Sequence, residues 1–184
     1  KDVFQMIFLL AFTQKSFSAL LRSKNLIFHG KKDTIYRFLQ NTSGNWRKLL
    51  FLFSTKIVTE ALLPFTSLKR STWVVDDSPY ERPRSSKVEG LSRFFDHAQG
   101  RFSRGFRMLT LGLTDVATFI PFSFSLLSSH RKENRLYPMD ASVDGRSTRA
   151  RLRNESQEKA PDVLLNLLDG ALKHCPLVQT ILFD

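Results

Sequence analysis

The sequence predicts an α/β protein in which a helical N-terminal region precedes a mixed sheet. Apolar residues recur at three-and-four spacing through the first 60 residues or so, then alternate with a period of two between residues 105 and 129. A second helical pattern begins at residue 161 and is followed by a final apolar run. Strand and helix periods in this order indicate a sheet covered by helices. We predict residues 1–70 as the helical region and 71–184 as the sheet domain.

Three helices are expected in the N-terminal region. The first covers residues 3–21, the second covers KKDTIYRFLQ at 31–40, and the third begins at Trp46 after the turn NTSGN. The third helix should bury Trp46, Leu49, Leu50, Phe53, Ile57 and Val58. Basic residues predicted on the outside are Lys31, Lys32, Arg37, Arg47 and Lys48. This pattern is compatible with a DNA-binding helical module, and equally with an ordinary helical bundle that has a solvated basic face.

The sheet domain is expected to begin with the short β-branched strand STWVVDD at 71–77. Two longer strands, at 105–115 and 120–129, are joined by the hairpin turn TDVAT. Residues 130–160 lose periodicity and are interpreted as a basic insertion that faces solvent or nucleic acid. A helix over 161–174 and a buried strand over 178–184 complete the pattern.

The charge balance indicates a polyanionic partner. The 184 residues include 28 Lys+Arg and 17 Asp+Glu, a formal net charge of +11, which favours nucleic acid or an anionic membrane surface. The most apolar stretch, MIFLLAF at 6–12, is too short to span a bilayer and has no signal-peptide flanks. Because Cys175 is the single cysteine, an internal disulfide is excluded, and this fits a reducing cytoplasm. We expect Cys175 to be buried and to have no catalytic role.

Carboxylates stand at the predicted ends of two strands. Asp76 and Asp77 close the first strand, and Asp184 follows the last apolar run. If these strands are neighbours, their carboxylates converge at one edge of the sheet, where α/β folds place ligand sites. Oxygen ligands of this kind hold Mg²⁺ or Mn²⁺, and a pair of such ions can support an in-line displacement at phosphorus. Either Asp76 or Asp77 can serve as the ligand from the first strand.

Basic residues that follow the first aspartates are the predicted phosphate contacts, which would position DNA without reading its sequence. The alternative is a solvated basic surface. The predicted contacts are Arg82, Arg84, Lys87, Arg93, Arg101, Arg104 and Arg107.

Three segments of the chain, in colinear order, resemble one protein family. WVVDDSPYERPRSSKVEGLSRFFDHAQGRFSRGFRMLTLGLTDVATFIPFSFSLLSS resembles the opening of the catalytic domain of bacterial insertion-sequence transposases of the DDE class, in the insertion-sequence-four superfamily. KKDTIYRFLQNTSGNWRKLLFLFSTKIV resembles their N-terminal region, and VLLNLLDGALKH with QTILFD resembles the helix and strand that carry their second aspartate. The resemblance implies a partial RNase-H-like core preceded by a helical DNA-binding region.

The resemblance also implies a set of site residues. The family's first aspartate, in an Asp-x-Ser/Thr context, matches Asp76, with Asp77 as the alternative, and the second aspartate matches Asp184. The family's third carboxylate, a glutamate, has no matching position, and Glu89, Glu155 and Glu158 do not substitute because each precedes Asp184. We therefore expect a transposase fragment that is inactive on its own.

The resemblance further implies what the complete enzyme would use and where it would act. We expect two Mg²⁺ or Mn²⁺ ions in the complete enzyme and double-stranded DNA as the substrate, namely transposon ends and target DNA. We also expect a homodimer on DNA and a bacterial cytoplasmic, nucleoid-associated location, with no membrane partner. The alternative is a non-catalytic DNA-binding remnant or regulator of a full-length transposase.

Overall fold

The computed structural model describes residues 3–5, 17–22, 32–41, 44–62, 71–115, 117–140, 142–175, 178 and 180–183. The chain divides into two compact units, Lys1–Gly44 and Asn45–Asp184. This division lies at residue 44 rather than at the predicted residue 70, because the helix that begins at Trp46 packs with the sheet. Within the described residues, no helix has the length and apolar character needed to cross a bilayer.

The first unit contains short helices. Residues 3–5 are helical, α1 is Phe17–Leu21 and α2 is Lys32–Leu39. Both described ends of the predicted helix over 3–21 are thus helical, and the residues between them lie outside the described ranges. In α2, Ile35 is buried, and Phe38 meets Phe4 edge to face with ring centroids 5.3 Å apart.

Within the part of the chain that the structure describes, the second unit is built on a five-stranded mixed sheet. Its strands are β1 (Thr72–Glu81), β2 (Ser92–Asp96), β3 (Arg101–Thr114), β4 (Phe119–Leu127) and β5 (Thr180–Phe183). The path β2-β3-β1-β5 is antiparallel except for the parallel pair of β1 and β5, and β4 pairs with β3. Four antiparallel strands followed by helices and a strand parallel to β1 are consistent with part of an RNase-H-like core, so the predicted fold class is confirmed.

The described residues of this unit also form three α-helices: α3 (Trp46–Ile57), α4 (Thr148–Glu155) and α5 (Ala160–Leu172). One turn of π-helix, Val58–Leu62, continues α3. Helix α5 confirms the helix predicted from residue 161, and the hairpin turn between β3 and β4 is confirmed as well. In that turn the Asp115 carboxylate accepts hydrogen bonds from the backbone N–H groups of Ala117 and Thr118.

The hydrophobic core lies between one face of the sheet and the helices. Trp73 and Val75 of β1 are fully buried there, and Trp73 contacts Phe122 of β4 edge to face at 5.0 Å. Helix α5 buries one stripe at helical spacing against the same cluster, as its sequence predicts. That stripe consists of Val163, Leu167, Leu168 and Ala171.

The predicted inner face of α3 is confirmed for Ile57 and Val58, which pack in the core, and is wrong for Leu49 and Phe53. Leu49 and Phe53 are 43% and 47% exposed, whereas Ser54 and Val58 are buried. A polar contact explains the difference: the Ser54 hydroxyl donates to the Pro121 carbonyl of β4 at 2.5 Å. A buried hydroxyl that finds an acceptor can occupy a core-facing position, which an apolar pattern cannot anticipate.

The segment 130–160 is not an irregular insertion throughout, because it contains α4. The Ser147 hydroxyl caps this helix by accepting from the Ala150 N–H at 3.1 Å, and the backbone N–H of Leu136 donates to the Leu91 carbonyl at 2.7 Å. Its arginines are partly neutralised, since Arg149 donates to Glu89 at 2.8 Å. Parts of this segment are therefore anchored to the sheet, while many of its side chains are exposed.

Candidate active site

Asp76 and Asp77 lie in the middle of β1, not at its end. The structure corrects this prediction because β1 stays paired with β3 through the register Glu81↔Gly105. The last described pair between β1 and β5 is Val75 with Phe183, so the described part of β5 does not reach Pro79. A proline, which has no backbone N–H to donate, is tolerated at such an edge. The two aspartates therefore stand where the described pairing of β1 changes from two neighbouring strands to one.

Strand alternation sends the two carboxylates to opposite faces of the sheet. Asp77 shares the face of the buried Trp73 and Val75, and 14% of its side chain is exposed. Asp76 is exposed on the other face, next to Thr110 of β3. Adjacent in sequence, the two groups consequently face different surroundings.

The Asp77 carboxylate is held by Arg107. The Arg107 guanidinium binds it with two nitrogens: Nε donates to Oδ1 at 3.2 Å, and Nη2 donates to Oδ2. Asp77 is directly opposite Leu109 in the β1–β3 register, and Arg107 precedes Leu109 by two residues on the same face of β3. A bidentate pair of this kind fixes both side chains and occupies the carboxylate oxygens that a metal would need.

The Asp76 carboxylate has a different partner. The Ser78 hydroxyl, two residues further along the same face of β1, donates to Asp76 Oδ2. This contact gives the Asp-x-Ser spacing a structural reason, because residues i and i+2 of a strand share a face. Among the described residues, no cationic side chain forms an ion pair with Asp76, so its remaining lone pairs are open to a ligand.

The strand β5 lies beside β1 as predicted, but the prediction that it is buried is wrong, because all four of its residues are exposed. Phe183 pairs with Val75, the residue before Asp76, in the parallel register. Asp184 follows Phe183 in the sequence and lies outside the described residues. Within the described ranges, no three His, Cys, Asp or Glu side chains form a group that could hold a metal ion.

The predicted basic contacts fall into two groups. Arg107 is neutralised by Asp77, and Arg101 lies 3.8 Å from Glu81. The other five have no ion pair among the described residues: Arg82, Arg84, Lys87, Arg93 and Arg104.

The described contacts of these five residues involve no carboxylate, so their positive charges are not neutralised. The Arg82 guanidinium lies 4.8 Å from the centroid of the Tyr80 ring, and Arg104 donates to the Ser85 carbonyl at 3.5 Å. Arg93 is directly opposite Arg104 in the β2–β3 pair. These cations surround the end of β1 and the β2–β3 hairpin.

Glu89 and Glu155, which do not match the family's third carboxylate, both form ion pairs. Glu89 pairs with Arg149 and Arg153 and also accepts from the Asp140 N–H at 2.8 Å. Glu155 pairs with Arg47 at 2.5 Å and accepts from the Ser125 hydroxyl at 2.6 Å. Both carboxylates are therefore engaged in holding the unit together.

The one thiol of the chain lies in the core. Cys175 is 2% exposed, and burial raises the pKa of its thiol because the thiolate would lose its hydration. The predicted buried position is confirmed. A thiol that stays protonated in an apolar cluster is a poor nucleophile.

Two exposed aromatic side chains that were not predicted as contacts lie next to these cations. Phe95 and Phe102 are 42% and 74% exposed, and they stand opposite each other on β2 and β3. The signal was present in the alternation of SRFFD and RFSRG, where phenylalanine and arginine fall on the same side.

Comparison with known proteins supports the broader part of the resemblance, a family of the DDE class. Residues 7–184 match the family model described as DDE superfamily endonuclease. No curated protein and no solved structure matches the chain. The matched region includes the β1 carboxylates, the hairpin and the helix and strand that lead to Asp184. The chain therefore belongs to the DDE superfamily endonuclease family.

Proposed function

We propose that this chain acts in DNA transposition, as part of an enzyme that cleaves and joins DNA strands at insertion-sequence ends. The observation that carries the proposal is the exposed Asp76 carboxylate, which Ser78 orients and no described cation neutralises. It stands beside the strand pair that leads to Asp184, in a chain of the DDE endonuclease family. Support for the insertion-sequence-four superfamily comes from the resemblance of the sequence segments.

The ligands of the proposed metal site are Asp76 and Asp184. The exposed oxygens of Asp76 fit a hard divalent cation, Mg²⁺ or Mn²⁺, because carboxylate oxygens are the donors that these ions prefer. Two such ions, when bound, would stabilise the attacking and leaving oxygens of the phosphoryl transfer. Asp77 is the less favoured alternative, since Arg107 occupies both of its oxygens.

The role of Ser78 in this proposal is to position the carboxylate. Its hydroxyl holds one oxygen of Asp76 and leaves the other free on the same face of the strand. Second-layer hydrogen bonds of this kind commonly change metal affinity by about 10- to 100-fold. Ser78→Ala should therefore weaken Mn²⁺ binding without changing the number of carboxylates.

The proposed substrate is double-stranded DNA, bound through the five cations that lack a carboxylate partner among the described residues. Each duplex phosphate that a cation neutralises releases counterions. It therefore adds about −0.9 to the slope of the logarithm of the binding constant against the logarithm of the salt concentration. Five contacts give a slope of roughly −4.5 at most. We further propose a homodimer on the DNA and a bacterial, nucleoid-associated location.

Salt-dependent binding tests this proposal directly. Fluorescence anisotropy of a labelled duplex at several salt concentrations should give a negative slope, and Arg84→Gln with Lys87→Gln should reduce it by about 1.8. Lys173→Gln is the matched control, because Lys173 pairs with Asp169 on α5. Binding that is absent, or independent of salt, would contradict the proposed DNA contact.

Strand cleavage is not expected from these 184 residues alone. Two of the family's three carboxylates have matching positions here, and Glu89 and Glu155 are engaged elsewhere. A DNA-binding regulator without catalysis is therefore the second candidate, favoured by basic residues that lie beyond the end of β1 and apart from Asp76. Cleavage of transposon-end DNA by this chain with Mg²⁺ or Mn²⁺ would exclude it.

A further inference from the structure

The hairpin of β2 and β3 has an exposed surface made of two aromatic rings and two cations. Phe95 pairs with Phe102 and Arg93 pairs with Arg104 in the same register, so all four share one face. The two rings meet edge to face with centroids 5.2 Å apart, and all four residues are exposed. We call these four residues the aromatic–arginine patch.

The residues of the aromatic–arginine patch contribute little to the stability of the sheet. Like charges directly opposite each other on neighbouring strands repel, and Arg93 and Arg104 have no ion-pair partner among the described residues. Phe102, at 74% exposed, gains little from burial. A surface that combines unneutralised cations with exposed rings is complemented by a ligand that combines anions with flat apolar groups.

The hairpin that carries the patch is well fixed. Asp96 closes the turn, accepting hydrogen bonds from the backbone N–H groups of Ala98 and Gln99 at 2.9 and 3.1 Å. On the opposite face of β2, Ser92 and Asp96 are buried. The rings are therefore presented by a rigid strand pair, which lowers the entropy cost of binding.

Strand alternation also places the patch on the same face of the sheet as Asp76. Asp76 pairs with Thr110, and Phe102 is eight residues from Thr110 along β3, with Arg104 between them on the same face. At about 3.3 Å per residue the distance along the strand is roughly 26 Å. Tyr80, with Arg82 over its ring, lies between the two sites on β1.

A nucleic-acid strand fits this arrangement because it alternates phosphates with bases. In a duplex the flat faces of the bases are covered by their neighbours, so exposed rings favour unpaired bases. We propose that the aromatic–arginine patch binds single-stranded DNA, with bases stacked on Phe95 and Phe102 and phosphates held by Arg93 and Arg104. The inference rests on the proposed function, because it extends the DNA substrate from Asp76 to a second contact about 26 Å away.

The test compares single-stranded with duplex oligonucleotides by fluorescence anisotropy, using the full 184-residue chain. The double variant Phe95→Leu with Phe102→Leu keeps the apolar volume but removes the stacking faces. It should lose at least about tenfold in affinity for the single strand, with duplex affinity within twofold of the unmodified chain. Phe102→Trp should retain single-strand binding because it preserves a stacking face.

Two further measurements separate stacking from charge. An oligonucleotide with 2-aminopurine should lose fluorescence on binding to the unmodified chain and not to the leucine double variant. Arg93→Gln with Arg104→Gln should reduce the single-strand salt slope by about 1.4, at about 0.7 for each charge. Leu165→Ala is the control for loss of an exposed apolar side chain, since Leu165 lies on α5 and is 64% exposed.

The outcomes are distinguishable. Duplex binding with normal salt dependence, but unchanged single-strand affinity in the leucine double variant, would overturn the patch and leave the proposed function standing. An equal loss for both forms of DNA would also overturn it, because stacking requires unpaired bases. Absence of binding to either form would overturn both proposals. Loss of self-association in the variant, measured by sedimentation without any change in DNA binding, would identify a second copy of the chain as the occupant instead.

Discussion

Replacing Asp77 by asparagine should destabilise the protein, whereas the same replacement at Asp76 should not. Asp77 loses a bidentate pair in which 14% of its own side chain and 49% of Arg107 are exposed. Charge-assisted hydrogen bonds contribute about 1.5–3 kcal/mol when shielded, and exposed pairs about 0.2–1 kcal/mol. Because Arg107 is half exposed and can regain water, we expect a loss of about 1 kcal/mol.

Unfolding in urea and on heating, both followed by circular dichroism, measures this difference. For a chain of 184 residues, about 1 kcal/mol corresponds to a shift of roughly 2–4 °C in Tm. A double-mutant cycle of Asp77→Asn and Arg107→Gln should give a coupling energy of about 0.5–1 kcal/mol. Asp76 is exposed and has no ion pair among the described residues, so the free energy of unfolding of Asp76→Asn should stay within about 0.5 kcal/mol of the parent.

The opposite result would refute the assignment of the two carboxylates. If Asp76→Asn costs as much stability as Asp77→Asn, Asp76 is part of the structural framework and not an open ligand. A coupling energy near zero would show that Asp77 and Arg107 do not form the described pair in solution. In that case Asp77 would be as available to a metal as Asp76.

Three other predictions concern the framework of the sheet. Ser54→Ala should cost about 1–3 kcal/mol in urea unfolding because the Pro121 carbonyl loses a buried donor; a neutral effect would mean that the contact is absent. Phe122→Ala should cost about 3–5 kcal/mol and Phe122→Leu clearly less, since the ring packs on Trp73 in the core; equal costs would contradict that packing. Burial raises the pKa of Cys175, so its contribution to stability should be complete below the ordinary pKa of about 8.5 and decline as pH rises above it. The urea midpoint of Cys175→Ala should therefore fall less between pH 7 and pH 9.5 than that of the parent chain, and identical declines would show that the thiol is not buried.

The strands of the β3–β4 hairpin could be predicted from their period of two, and Leu109, Leu111 and Leu113 mark the buried face of β3. The buried side of β4 could not be predicted, because a register shift at Leu111/Gly112 leaves Ser123 and Ser125 buried. These strands begin and end within a few residues of their predicted limits. Helix α5 was equally clear, because its apolar stripe repeats at helical spacing.

Helix α4 was missed for a physical reason. Its sequence TRARLRNE carries no apolar stripe, and Ala150 is its one buried residue. The helix is fixed by its Ser147 cap and by the ion pairs of Glu89 with Arg149 and Arg153, which depend on tertiary contacts. Apolar periodicity indicates a helix that buries one face, so it gives no signal for a helix held by polar contacts.

The difference between Asp76 and Asp77 also needed three-dimensional information. The sequence indicates that adjacent strand residues face opposite sides, but not which side carries Arg107. That contact depends on the register Asp77↔Leu109, which pairs residues more than 30 positions apart. Before the register is known, both carboxylates have an equal claim to the metal.

Binding of Mn²⁺ to Asp76 is the most direct test of the proposed active site. Titration calorimetry and the loss of the free Mn²⁺ signal in electron paramagnetic resonance should both show binding to the chain. Asp76→Asn should weaken this binding by at least about tenfold, while Asp77→Asn should leave it within about threefold of the parent. Parent-like Mn²⁺ affinity in Asp76→Asn, or its loss in Asp77→Asn with the fold intact, would contradict the account.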